Sequence, residues 1–333
     1  MSILEGAPIA LPSGYHARAF EDGDREPLVA ARNAEVHPME RGDANEWRHW
    51  ESIAKDDSLL RITVVAPDGS VAATADIGTG MMPREDGSHF VSVGVVSAHR
   101  GHGIGSALLA AVEDEARRRR SPRVLSGASA AQPFAVDWAS RRGYREIGRR
   151  IGSYVDLSAF DPAAFGDTLE RVRGSGIRLR TIADVLAEID EKGRERFWRE
   201  LYEAEAPMWD DIPFATPTPH WSWDRFRAAV VDSGQIILDV SIVAYDGSTI
   251  AGFSTNGRRA PSDGWTWMTG TARDHRGKGI ALALKVEALT RAKDAGLRAM
   301  GTTNDEPNKA MRGINAKLGY QMLPARIELE KVL

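Results

Sequence analysis

The sequence contains no cysteine in 333 residues. This absence excludes a disulfide framework, a thiolate metal site and a cysteine-linked acyl intermediate. Any transfer of an acyl group must therefore use another nucleophile or go directly to the acceptor. The chain also lacks a surplus of basic residues, because its formal net charge is -4. That balance does not favour binding along a phosphate backbone, so nucleic acid is not an expected partner.

Long apolar stretches are missing as well. No segment approaches the ~18 consecutive apolar residues of a membrane-spanning helix, and the residues after Met1 do not form the basic region and apolar core of a signal peptide. We therefore expect no membrane partner and a cytoplasmic location. What the chain does have is the composition of a folded protein, 42% hydrophobic and 27% charged, at a length that favours two domains.

One sequence pattern occurs twice. The segment Arg100-Gly-His-Gly-Ile-Gly-Ser-Ala-Leu-Leu recurs 176 residues later as Arg276-Gly-Lys-Gly-Ile-Ala-Leu-Ala-Leu-Lys. The Gly-Tyr pair at Gly143 keeps the same offset from the pair at Gly319. A repeat of this length indicates a duplicated domain. Residues 158–166 contain turn formers without sustained periodicity, so we predict domains at 1–160 and 168–333, joined by a linker at 161–167.

The order of elements within each half predicts the fold class. Each half runs from a helical region through a β-hairpin, a strand, the glycine-rich turn, a helix, a strand, a second helix and a closing strand. This order predicts an α/β fold in which a mixed sheet is flanked by helices. After the first turn, Ile104, Leu108 and Val112 recur every four residues, so this face of the helix is expected to pack inward, as is its counterpart in the second half.

The glycine-rich turn predicts an anion site. A turn between a strand and a helix presents backbone N–H groups at the positive end of the helix, and glycine lets a phosphate approach closely. The Walker loop does not fit, because Lys278 is followed by glycine and not by serine or threonine. The dinucleotide fingerprint does not fit either, because Leu108 stands where a small residue is required.

The remaining pattern is Arg-Gly-x-Gly-Ile-(Gly/Ala)-x-x-Leu, followed by Gly-Tyr 43 residues after the arginine. It resembles the GNAT superfamily of N-acetyltransferases, and its two copies resemble bacterial tandem GNAT proteins. The resemblance implies two mixed, mostly antiparallel sheets, each with a pair of splayed strands, and acetyl-CoA as the cofactor, its pantetheine arm pairing with the strand before the turn. The cofactor-binding residues it implies are Val93, Val95, Arg100, Gly101, His102, Gly103, Ile104, Gly105 and Ser106 in the first half, and Thr269, Thr271, Arg276, Gly277, Lys278, Gly279, Ile280, Ala281, Asn304 and Asn308 in the second.

The resemblance also implies the chemistry. In the family a primary amine, here expected on a small molecule, attacks the thioester directly, and many members use a tyrosine four residues before the Gly-Tyr pair as the acid. This chain has Ala139 and Asn315 at those positions. We therefore favour the second half as the active one, with Asn315 donating to the thioester sulfur. The alternative is that Asn315, Asn304 and Asn308 cap and brace the helix.

The acceptor amine is expected near acidic and indole side chains of the second half, since these groups suit a cation. Our hypothesis assigns the base to Glu205 or Asp211, and no metal site is predicted. The alternative is that the acids form a solvated helix face and that the indoles are core residues. Two other functions stay open: a non-catalytic acyl-CoA sensor, and an acyltransferase that modifies a protein amine or uses a longer acyl group. The residues in this region are Glu203, Glu205, Trp209, Asp210, Asp211, Trp221 and Trp223.

Overall fold

The computed structural model describes residues 9–80 and 83–333. The residues on which the absence of a signal peptide was argued lie outside these ranges. The described chain divides into two compact units. The first contains residues up to Arg149 together with Ala215–Pro219 and Arg326–Leu333, and the second contains Arg150–Phe214 and His220–Ala325.

In its described residues, the first repeat has six strands and four α-helices. The strands are β1 (His16–Ala19), β2 (Leu60–Val65), β3 (Val71–Gly78), β4 (His89–Val95), β5 (Arg123–Ser129) and β6 (Arg145–Asp156), and the helices are α1 (Arg25–Asn33), α2 (Ala44–Ala54), α3 (Ile104–Arg118) and α4 (Pro133–Ser140).

The second repeat supplies the other elements. Its helices are α5 (Gly166–Gly174), α6 (Ile182–Ala187), α7 (Glu191–Trp209), α8 (Trp223–Phe226), α9 (Ile280–Asp294) and α10 (Lys309–Lys317), and its strands are β7 (Ile177–Thr181), β8 (Ile242–Asp246), β9 (Thr249–Ala260), β10 (Asp263–Thr271), β11 (Ala299–Asp305), β12 (Gln321–Met322) and β13 (Arg326–Val332).

The sheet of the first unit has the order β1-β2-β3-β4-β5-β13. Every described pair in it is antiparallel except β4 with β5, which is parallel and short. That parallel pairing covers only His89 with Val124 and Phe90 with Leu125. Beyond this point β4 pairs with β3 alone and β5 with β13 alone, so the two strands separate.

The sheet of the second unit repeats this plan. Its order is β6-β11-β10-β9-β8-β7, and β12 adds to β6. The parallel pair is β10 with β11, and it ends where Thr266 meets Thr302. From there β10 follows β9 and β11 follows β6, whose residues from Arg150 onward belong to this unit. Both units therefore contain the splayed pair that the resemblance implied.

The closing strands are exchanged between the repeats. β13, from the end of the chain, completes the first sheet, and most of β6, from the first repeat, completes the second. The linker predicted at 161–167 separates the two copies of the sequence repeat. The compact units do not follow this division, because each contains a strand from the other copy. Local patterns in a sequence specify that a strand forms, but not which distant strand edge it pairs with.

The helix after each turn packs as its periodicity predicts. Ile104, Leu108 and Val112 of α3 are buried, and they share one apolar cluster with Ala75 and Ile77 of β3. The corresponding residues of α9 are buried in the core of the second unit. The predicted inward face and the predicted α/β fold, a mixed sheet flanked by helices in each unit, are both confirmed. No helix in the described part of the chain is long and apolar enough to span a membrane.

Candidate active site

The turn before α3 is an open backbone cradle. Gly101 and Gly103 have φ angles of 84° and 86°, in the left-handed region that favours glycine. A Cβ added at either position would meet nothing within 4 Å. Glycine is therefore required by the backbone conformation, and the space in front of the turn is free. Within the described chain, the N–H groups from Gly101 to Gly103 donate to no backbone acceptor, and the first-turn N–H groups of the helix lack intrahelical partners.

The turn before α9 has the same conformation. Gly277 and Gly279 have φ angles of 77° and 84°, and Lys278 between them is exposed. Each unit therefore presents a row of unused N–H donors at a helix N-terminus, which is an arrangement that binds phosphate. The prediction that these turns hold the diphosphate of coenzyme A fits this geometry and stays a prediction.

The arginine at the start of each turn binds back to its own strand. Nε of Arg100 donates to the carbonyl of Val95 at 3.0 Å, and Nε of Arg276 donates to the carbonyl of Thr271 at 3.1 Å. The guanidinium of Arg100 also pairs with Glu35 at 2.6 Å, and that of Arg276 pairs with Asp211. These arginines hold the turn against the strand end, and in this conformation their charge acts on an anion from beside the cradle.

Alternation along β4 turns backbone groups toward the gap, where the carbonyl of Val95 already accepts from Arg100. Val96 donates to the carbonyl of Ala72 at 2.9 Å, which makes Gly94 and Ser92 the hydrogen-bonded positions opposite β3. The N–H and C=O groups of Val93 and Val95 therefore point away from β3, toward the gap. In β10 the bond from Ala272 to Ala251 at 2.9 Å gives Thr269 and Thr271 the same orientation. These are the four strand positions that the sequence predicts for pantetheine pairing.

Helices cover the two faces of β10 in the second unit. A Cβ on Gly252, in β9, would contact Ile280 and Leu284 of α9. A Cβ on Gly270 would lie 2.3 Å from Sδ of Met208 in α7. Ser254 and Thr269, whose hydroxyls are 3.0 Å apart, lie on the α9 face. The gap beside β10 therefore has α7 on one side and α9 on the other.

The predicted asparagines of the second unit make structural hydrogen bonds, and one of them also has an acceptor oxygen without a partner. Asn308 caps α10 by accepting from the N–H of Met311 at 3.2 Å. Nδ2 of Asn315 donates to Oδ1 of Asn304 at 2.7 Å. The side chain of Asn315 is 3% exposed, and its Oδ1 has no hydrogen-bond partner in the described structure. Thr271 has a buried hydroxyl that is also without a partner. Since buried polar atoms are nearly always bonded, both atoms are available to a hydrogen-bonding group that enters the gap.

Asp211 is poorly suited to act as a base. Its carboxylate accepts from Arg273 at 2.8 Å and also pairs with Arg276. The hydrogen bonds from Arg273 and then Arg276 lower the pKa of Asp211 to about 2. A carboxylate with so low a pKa has little tendency to take a proton at neutral pH. The structure therefore argues against this half of the base hypothesis.

Glu205 lies in a buried position beside a histidine. Glu205, on α7, is 6% exposed, and its Oε1 lies 3.4 Å from Nε2 of His220. The rings of Tyr202 and Trp209 flank the imidazole at centroid distances of 5.0 and 5.5 Å. Trp221 follows His220, and its buried Nε1 has no hydrogen-bond partner in the described structure. The carboxylate and the imidazole can accept a proton, and the faces of the neighbouring aromatic rings can contact a cation.

The other predicted acceptor-site residues are less concentrated. Glu203 and Asp210 are exposed, as their alternative interpretation expected. Trp223 stacks on Phe226 at 5.9 Å and lies under the guanidinium of Arg199 at 3.8 Å. His220 was missed by the sequence analysis. A single histidine in a proline-rich loop gives no local signal, and only the fold places it against Glu205.

The first unit contains an acidic residue, Asp76, that no sequence pattern indicated as functional. Asp76 of β3 lies opposite Ser92 of β4, on the sheet face away from α3. Burial raises the pKa of Asp76 to about 6, although Arg61, 3.9 Å away, opposes the shift. His102 of the first turn is exposed, with Nδ1 3.3 Å from the carbonyl of His99. Ser106, also exposed, accepts from Arg142 at 2.7 Å.

No cluster of side chains suited to holding a metal ion occurs in residues 9–80 and 83–333. The groups that face each gap are backbone N–H and C=O groups, side-chain hydroxyls, side-chain amides and isolated titratable side chains. They fit an acyl thioester with a diphosphate, because the cradle supplies N–H donors and the splayed strand supplies a free edge.

Comparison with known proteins agrees with this geometry. The family model described as "Acetyltransferase (GNAT) family" matches residues 25–144 and again residues 196–320. No curated protein matches the sequence.

Solved structures share the fold over nearly the whole chain. A GCN5-related N-acetyltransferase from Sphaerobacter thermophilus has 22% identity and a TM-score of 0.69, with 97% of each chain covered. A tandem GNAT protein from the clavulanic acid biosynthesis pathway has 18% identity and a TM-score of 0.67, with 96% of this chain and 98% of that chain covered. The N-myristoyltransferase of Saccharomyces cerevisiae, solved with myristoyl-CoA, has 11% identity and a TM-score of 0.60, with 98% of this chain and 85% of that chain covered.

Proposed function

The chain belongs to the acetyltransferase (GNAT) family, and we propose that it moves an acyl group, acetyl in the simplest case, from coenzyme A to the primary amine of a small molecule. The observation that carries the proposal is the splayed pair of β10 and β11 with an open cradle at the strand end. This arrangement offers a strand edge for the pantetheine arm and, at the end of the same strand, N–H groups that can bind phosphate.

The roles of the residues follow from their positions. The N–H groups from Gly277 through the first turn of α9 would hold the diphosphate. The backbone of Thr269 and Thr271 would pair with the pantetheine amides. The unused Oδ1 of Asn315 is available to accept from one of those amides. The same set of contacts is available in the first unit, apart from the asparagine.

The acceptor amine would enter from the α7 face, where Glu205 and His220 lie. An amine must lose its proton to attack, and a buried carboxylate next to an imidazole can accept it. The neutral nitrogen would then form the new bond to the acyl carbon as the C–S bond breaks, and the leaving thiolate would be balanced by the proton that the nitrogen loses on becoming an amide. We assign the base to the Glu205–His220 pair, and we propose the second unit as the active one.

The test measures release of free coenzyme A thiol with acetyl-CoA and a panel of small amines. We expect turnover with at least one amine, and we expect Glu205→Gln to lower kcat by about 100-fold or more, which is the usual contribution of a general base. Glu203→Gln is the matched control, because Glu203 is exposed on the same helix. Binding of acetyl-CoA without thiol release from any amine would instead identify a sensor and refute the proposal.

A further inference from the structure

Lys285 is a buried lysine without an acidic partner. Its side chain is 2% exposed in α9, and its Nζ lies 4.9 Å from the ring centroid of Tyr320. In the described structure no charged group contributes to its environment, and desolvation alone lowers its pKa to about 7. Lysine is almost never fully buried unless it is paired. Within the described residues, no acidic side chain accompanies this one.

Polar groups lie next to Tyr320, the residue that Nζ of Lys285 contacts. Tyr320 lies against Thr266, and the hydroxyl of Thr266 donates to Oδ1 of Asn256 at 2.8 Å. Ser254 and Thr269 continue this row of polar groups along the α9 face of the sheet. The backbone N–H of Tyr320 donates to the carbonyl of Asn315 at 3.0 Å.

The first unit shows that the fold does not require this polarity. Leu109 stands 176 residues before Lys285, in the same turn of the equivalent helix. The strand pair Thr266 with Asn256 corresponds to Val91 with Ile77, and the pair Thr269 with Ser254 corresponds to Val93 with Ala75. All five equivalent positions are therefore apolar in the first unit. These five positions are thus apolar in the first unit and polar in the second, while Tyr144, the counterpart of Tyr320, contacts the paired Glu113 and Lys331.

The position of this polar group relative to the gap suggests what it binds. Thr266 is the last residue of β10 that pairs with β11, so it marks the vertex of the gap. On the proposed function, the amine approaches from the α7 face, and the remainder of the acyl group must extend to the other side of the thioester. That side is the α9 face, where Thr266, Tyr320 and Lys285 lie.

We propose that Lys285 binds the terminal carboxylate of the acyl group, so that the second unit prefers the coenzyme A monothioester of a short dicarboxylic acid. This inference rests on the proposed function and narrows its donor. A carboxylate would supply a counter-charge, and the ammonium would form a charge-assisted hydrogen bond with it. An uncharged acyl group would leave the buried amine unpaired.

The test is calorimetric titration of the full chain with coenzyme A, butyryl-CoA and succinyl-CoA. These two thioesters have acyl chains of similar length, and only one carries a carboxylate. We expect succinyl-CoA to bind about 10-fold or more tightly than butyryl-CoA, the change expected for one charge-assisted bond. Lys285→Met should remove this preference. Leu109→Met, at the equivalent position of the first unit, is the matched control and should retain it.

A second measurement uses the unaltered protein and does not depend on a variant. At pH 8 most of Lys285 is neutral, so binding of a carboxylate should take up a proton, which titration in buffers of different ionisation enthalpy detects. Butyryl-CoA should take up none. Tyr320, the group against Nζ, does not titrate there, because burial raises the pKa of its hydroxyl well above 10.

The outcomes separate the two proposals. Equal affinity for succinyl-CoA and butyryl-CoA, or a preference that survives in folded Lys285→Met, would overturn the role of Lys285 while leaving coenzyme A binding intact. If none of the three compounds binds, the proposed function itself fails.

Discussion

Removing the buried charge at position 285 should stabilise the protein. The ordinary pKa of lysine is 10.5, and burial lowers it to about 7 in the folded chain. The folded state therefore binds fewer protons than the unfolded state between these two values, so stability rises with pH across this window. Below pH 7 the folded state must either bury a charged ammonium group or release its proton. The full free-energy cost of doing so then opposes folding.

The magnitude follows from the difference between the two pKa values. At 1.36 kcal/mol for each pKa unit, the charge costs roughly 4 kcal/mol of unfolding free energy at pH 7 and about 2 kcal/mol at pH 9. Lys285→Met keeps a side chain of similar length in the apolar contacts of α9 and removes this cost. We expect the variant to be more stable by about that amount at pH 7, and the gain to disappear near pH 10.5.

The assay is urea unfolding followed by circular dichroism at several pH values, with attention to the transition of the second unit. Leu109→Met in the first unit exchanges one buried apolar residue for another, and its effect should stay below ~1.5 kcal/mol at every pH. A Lys285→Met variant that is less stable than the parent at pH 7, or a gain that does not change with pH, would refute the reasoning. Either result would mean that the amine has a partner in the folded protein.

Substitutions at Gly270, Gly277 and Glu205, with Gly94 as a control position, test the site. Gly270→Ala places a Cβ 2.3 Å from Sδ of Met208 and should cost ~1–3 kcal/mol in urea unfolding, whereas Gly94→Ala, whose Cβ meets one methyl group at 3.8 Å, should change stability by less than ~1 kcal/mol. Gly277→Ala puts a side chain at a φ of 77°; it should cost ~1–2 kcal/mol and weaken coenzyme A binding by titration, and unchanged binding would argue against the cradle. Glu205→Gln should remove any rise of kcat with pH that reports the base, and a profile identical to that of the parent would exclude Glu205.

Much of the fold could be predicted because the repeat is written in local signals. The glycines at 101 and 277 are required by a backbone conformation that few other residues adopt, and the four-residue spacing after them specifies one buried helix face. These features occur within about twenty residues of each other, so a linear reading detects them. The alternation that frees Thr269 and Thr271 also follows from strand periodicity once the turn is located.

The remaining parts depend on contacts between distant residues. Asp211 looked like a base in the sequence because nothing local showed that Arg273 and Arg276 would neutralise it. His220 was overlooked because its contact with Glu205 is made only when the loop folds back on α7. The isolation of Lys285 was equally hidden, since a lysine on a helix is ordinarily at the surface.

The exchange of closing strands has a consequence for how the chain is made. The first sheet needs residues 326–332 along the edge of β5, so translation of the first repeat alone leaves that edge without its neighbour. Residues 326–332 must therefore be translated before the first unit can be completed. Dividing the gene at the linker would separate each half from a strand that its sheet requires, and would leave two unprotected edges prone to self-association.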